Sequence, residues 1–122
     1  MHFFIREDSK SKFLETDPTS GWQVGIEELL DLMVLHGDRN LDFLVFHPEN
    51  LDSGFFDLKT GIAGEFLQKM INYRVPGVFL VPLEKMRGKF LQMASEANSS
   101  KHFRFLPKEE NTPLSTGFSP FE

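Results

Sequence analysis

The sequence predicts a single α/β domain, a mixed and mostly parallel sheet of four or five strands with three helices. Three observations carry this reading. Residues 41–46 (LDFLVF) and 77–81 (GVFLV) are apolar runs of strand length, the pattern of strands covered on both faces. The stretches between and after them place apolar residues at helical spacing. The chain has 122 residues, 40% of them hydrophobic, which suits one domain and excludes a disordered chain.

The elements follow in order. Residues 2–6 read as a strand, 9–11 as a turn and 12–15 as a hairpin partner. Asp17, Pro18, Thr19, Ser20 and Gly21 compose a loop. In the first helix Ile26, Leu29, Leu30 and Met33 fall at i, i+3, i+4 and i+7. Glu27 and Glu28 suit the positive end of its dipole, and Gly37 is the expected stop. After strand 41–46, His47, Pro48, Glu49 and Asn50 break the run. The second helix is expected from Phe55 or Asp57 to Asn72. Leu58, Ile62, Phe66 and Met70 form one apolar row, and Ala63, Leu67 and Ile71 the next. Glu65 and Lys69 stand four apart on the other side, suited to an ion pair. Strand 77–81 leads to a third helix, with Pro82 in its first turn, running to Ala97. Leu83, Met86, Phe90, Met93 and Ala97 share one face of it. Residues 102–106 (HFRFL) alternate in polarity, as near a sheet edge. Helical crossovers make the strands at 41–46, 77–81 and 102–106 parallel with right-handed connections, and the N-terminal hairpin adds antiparallel edge strands. The domain spans 1–106; residues 107–122 read as a mobile acidic tail rich in Pro, Ser and Thr.

Composition narrows function. A net charge of −5 and the lack of a basic run argue against nucleic acid as a partner. With no cysteine there is no disulfide, thiol nucleophile or thiolate metal site. No stretch approaches the roughly 20 apolar residues of a membrane helix. The start, MHFFIRED, turns acidic too soon for a signal peptide, so a soluble cytoplasmic protein is expected. The 14 Phe residues, against one Tyr and one Trp, read as core packing or as an apolar interaction face. Phe118 and Phe121 in the tail read as ordinary isolated apolar residues or as a short docking motif.

Asp52 and Ser53 precede the second helix, so one of them caps it, or Ser53 accepts a phosphate that the helix N-terminus would favour. Asp57 and Thr60 suit capping and Lys59 a solvated face; together they also suit binding of a small anion or a partner. Gly61 and Gly64 cost helix stability, about 1 kcal/mol each relative to Ala, which points to close packing within the chain or across a dimer. Tyr73 calls for a hydrogen-bond partner. Arg74 reads as one half of a salt bridge, with Glu65 or Asp57, or as an anion contact. His2, His36, His47 and His102 show no metal-ligand spacing, and no nucleophile-elbow or phosphate-loop pattern occurs. No metal or cofactor is expected. His47, after a strand, is the least improbable general base, and His47, Glu49, Asp57 and Arg74 are the residues an enzyme would use.

The motif in residues 55–75, FFDLKTGIAGEFLQKMINYRV, closely resembles the bacterial family known as domain of unknown function 4180. IEELLDLM and LDFLVFHPENL upstream and FLQMASEANSSKHFRFL downstream agree with it, so the likeness covers about residues 26–106. The link after GVFLVP is shorter than the family's. The resemblance implies an α/β fold and no assigned reaction. The element order is also similar to that of the STAS domain, where a Ser in an Asp-Ser context opens a helix, as Asp52 and Ser53 do here by analogy. The expected function is a non-enzymatic, regulatory module that binds another protein through residues 52–64. A ligand receptor or enzyme with a pocket at the carboxyl ends of the parallel strands is the alternative, and a homodimer is compatible with both.

Overall fold

In the computed structural model, which describes residues 2–108 and 120–121, five strands form one sheet in the order β1 to β5. β1 (Phe3–Glu7) pairs antiparallel with β2 (Lys12–Thr16), and β2, β3 (Phe43–Phe46), β4 (Gly77–Pro82) and β5 (Phe103–Lys108) run parallel. The connections carry α1 (Ile26–Asp38), α2 (Ile62–Asn72) and α3 (Gly88–Asn98). The mixed, mostly parallel sheet with three helices is therefore as the sequence predicts.

Each crossover steps one strand further in the same direction. Right-handed connections of that kind place all three helices on one face. The packing agrees. Leu14, Leu44, Phe46, Phe79, Val81, Phe103 and Phe105 cluster with α-helical Leu29, Leu32, Ala63, Phe66, Met70, Phe90 and Ala94. Phe79 is the centre of this layer, stacked on Phe46, Phe55 and Phe105 at 5.0, 5.2 and 5.0 Å. On the other face Phe13, Phe43, Val45, Val78 and Leu80 form a second buried cluster, joined by Leu106 and Phe121 and, among the described residues, by none from a helix. Nine phenylalanines are buried among the described residues, so core packing absorbs most of this composition.

Several boundaries differ from expectation for local reasons. α1 passes through Gly37 to Asp38, because the left-handed residue that ends the turn is Asn40, at φ 53°. α2 starts at Ile62 rather than at Phe55 or Asp57. The Asp52 and Asp57 carboxylates accept from the N–H groups of Gly54 (2.8 Å) and Lys59 (3.1 Å), closing two short 3-10 turns, Ser53–Phe56 and Leu58–Thr60. The Thr60 hydroxyl donates to the carbonyls of Gly54 and Asp57, and Gly61 takes a left-handed φ of 78°. Pro82 ends β4 instead of opening a helix; a 3-10 turn, Leu83–Lys85, precedes α3. β5 continues through Pro107 and Lys108, past the expected edge at residue 106. Residues 109–119, with Phe118, lie outside the described residues.

Candidate binding site at the carboxyl edge of the sheet

Parallel α/β sheets place ligands at the carboxyl ends of their strands. Two polar features meet that edge here, one on each side of the sheet.

On the helix side, the turns after β3 and β4 enclose an open depression of about 330 Å³. Phe56, Leu58 and Phe90 give it apolar walls, and Lys59, Lys85, Arg87 and Lys89 line it with Asp57 and Glu84. The apolar part is anchored from below: Phe55 is fully buried, and Phe56 meets the Phe90 ring at 5.6 Å. None of the four cations forms an ion pair among the described residues, which pair Arg6 with Glu15, His47 with Glu15 and Lys108 with Glu49. An acidic chain thus carries a cationic surface at this point.

On the helix-free side, Arg6, Glu15, His47, Lys108 and Glu49 form a continuous chain of contacts. Arg6 Nε donates to Glu15 Oε1 (2.9 Å), and His47 Nε2 lies 2.7 Å from Glu15 Oε2. His47 Nδ1 lies 2.9 Å from Lys108 Nζ, which also donates to Glu49 Oε1 at 2.8 Å. An ammonium only donates, so Nδ1 accepts and Nε2 carries the hydrogen that Glu15 accepts. The His47 backbone N–H donates to the Thr16 hydroxyl at 2.9 Å. Burial alone would raise the Glu15 pKa, but the hydrogen bonds from His47 and Arg6 outweigh it and hold the carboxyl below its ordinary value. At Glu49 burial is likewise overcome, by the Lys108 hydrogen bond, a backbone N–H and the Lys108 charge. Both ring nitrogens of His47 are engaged, so the ring has no free site for a substrate proton. The arrangement ties β1, β2, β3 and β5 together as a clasp.

Of the sequence-selected residues, Asp57 and Lys59 line the groove. Thr60 spends its hydroxyl on backbone carbonyls, and Ser53 is exposed in a turn that Asp52 caps, well ahead of α2. Arg74 sits exposed just past the far end of α2, at φ 57°, with its N–H on the Ile71 carbonyl. It pairs with neither Glu65 nor Asp57, and Glu65 and Lys69 form no ion pair among the described residues. Tyr73 is 61% exposed, and its hydroxyl makes no hydrogen bond among the described residues. His47 and Glu49 do come together, bridged by Lys108. The sequence reading missed Lys85, Arg87 and Lys89, whose alternate spacing over five positions is the one signal that points to them. It missed Glu15 and Lys108 as well, which nothing local marks.

Gly61 and Gly64 have separate explanations. Gly61 is left-handed, and a Cβ at Gly64 would meet nothing within 4 Å among the described residues, so no described element presses on it. The close approach is at Gly77, where a Cβ would lie 2.5 Å from Met70 Cε. Among the described residues no three His, Asp or Glu side chains are arranged to hold a metal ion. No described helix is long and apolar enough to cross a membrane.

Comparison with curated proteins and with solved structures finds no match for this chain, and the STAS likeness gains no support. The family model for a domain of unknown function, DUF4180, matches residues 9–113, a longer span than the motif alone suggested. The chain belongs to the DUF4180 family.

Proposed function

We propose that this domain is a protein-binding module that receives an acidic, apolar-anchored segment of another protein in the groove between the turns after β3 and β4. The observation that carries the reading is the cationic lining, Lys59, Lys85, Arg87 and Lys89, unpaired among the described residues of a chain with net charge −5. The rest of the molecule repels an acidic partner at long range, so attraction is confined to one place, which favours orientation over mere accumulation. Phe56, Leu58 and Phe90 offer an apolar surface to an anchoring side chain. An open depression suits a segment that passes through more than a ligand that must be enclosed. The groove contains part of the stretch, residues 52–64, that the sequence singles out. An enzymatic reading draws less support, because the least improbable base, His47, is committed at both ring nitrogens.

The test uses fluorescein-labelled peptides of alternating Glu and Leu, with Lys-for-Glu counterparts as controls, followed by fluorescence anisotropy. The acidic peptide is expected to bind, with affinity falling as salt rises. The triple variant Lys59→Glu, Lys85→Glu, Lys89→Glu should bind at least tenfold more weakly with an unchanged unfolding midpoint. Equal binding by the wild type and the triple variant would rule the groove out.

A further inference from the structure

Among the described residues, the helix-free face takes part of its cover from outside the strands and helices. Phe121 packs on the second cluster, its ring edge-on to Phe43 at 5.6 Å, and Phe43 stacks on Phe13 at 4.8 Å. Arg104 of β5 explains how it is held. Its Nη1 donates to the carbonyls of Asn98 (3.0 Å), Phe103 (2.7 Å) and Ser100, so the domain itself fixes the guanidinium. Its Nε donates to the Pro120 carbonyl at 3.0 Å, and its cationic face lies 5.2 Å from the Phe121 ring centroid. Plain core packing needs no such preset donor. An arginine held by three carbonyls at Nη1, which directs its Nε–H and one face at residues 120 and 121, is a preorganised receptor for a proline carbonyl followed by an aromatic ring.

Lys108 lies at the carboxyl edge of the face and Arg104 four residues of strand behind it, a separation of about 13 Å. The connection between Lys108 and Pro120, residues 109–119, can span about 35 Å or more when extended. The tether is therefore long enough to reach beyond its own domain.

We propose that the helix-free face is a docking surface for the Pro120–Phe121 segment of a second copy of this chain, and that the chain's own Pro120 and Phe121 occupy it in the isolated molecule. Exchange of identical elements between copies adds no new contact chemistry. Arg104 and Phe43 of one copy would receive the ring of the other, and the balance between self-docking and exchange would follow protein concentration.

Complementation between two full-length variants tests this. Phe121→Ala has an intact face and no ring to donate; Arg104→Gln has an intact ring and a disabled face. Native mass spectrometry should show each variant monomeric alone and a heterodimer on mixing, at least tenfold tighter than either homodimer. As a second measurement, a synthetic peptide of residues 113–122 should shift the NMR signals of Arg104 and Phe43 in Phe121→Ala. The same peptide with Ala at position 121 should bind at least tenfold more weakly. Monomers on mixing together with no peptide binding would overturn the proposal. So would unfolding of Phe121→Ala, which would make Phe121 a core residue. Peptide binding without a heterodimer would also overturn it, pointing to a different chain as the occupant.

Discussion

Gly61 and Gly64 look equivalent in sequence, yet their backbones separate them. Gly61 at φ 78° holds a conformation that L-residues adopt only with strain, whereas Gly64 lies in regular helix with open space at its Cβ. Gly61→Ala should cost about 1 kcal/mol and Gly64→Ala should stabilise by about 1 kcal/mol, measured by urea unfolding. If Gly64→Ala instead shifts the native mass, Gly64 faces a second copy. Spacing alone marked both as costly for a helix, but could not show that one lies outside α2. The site residues divide the same way. Asp57 and Lys59 were legible because they stand beside a recognisable motif. Arg87 and Lys89 were not, since only the turn after β4 brings them opposite Lys59. Glu15 and Lys108 meet His47 through strand register and a crossover, and no local pattern encodes that.

At the scale of elements, the segment between β3 and α2 gains order from one anchor. Phe55 is fully buried, with Phe79 stacked on it at 5.2 Å and Phe66 edge-on at 5.5 Å. Phe55→Ala should cost about 3–5 kcal/mol and loosen both 3-10 turns. Phe56→Ala, at a half-buried groove position, should cost only about 1 kcal/mol. Chemical denaturation of the pair gives the contrast. The strands could be read from the sequence because burial on both faces makes them apolar throughout. The start of α2 could not, because capping carboxylates at Asp52 and Asp57 serve a 3-10 turn as well as an α-helix.

For the molecule as a whole, the titrating groups push in one direction. Glu15 and Glu49 are held below their usual 4.5, so the stability they supply is complete above that value and is lost as pH falls through their folded pKa values. His36 is lowered from 6.5, chiefly by burial and against the pull of Asp42, so its share is complete above 6.5 and also fades on acidification. The unfolding midpoint should therefore drop first on acidification below about 6.5 and more steeply below about 4.5. Glu15→Gln should flatten the lower limb, and a thermal melt series in pH checks both. The parallel pairing of β3, β4 and β5 was legible from the alternation of elements. The cover of the second face was not, because it includes a ring beyond the last strand, Phe121, that no periodic pattern marks.

The one-sided winding also sets an order along the chain. The helix-bearing layer takes all its parts from residues up to the end of β5, whereas the cluster of Phe13, Phe43, Val45, Val78 and Leu80 also packs against Phe121, beyond the last strand. A chain cut short between the two would keep a finished helical layer and present a less covered apolar side to other proteins.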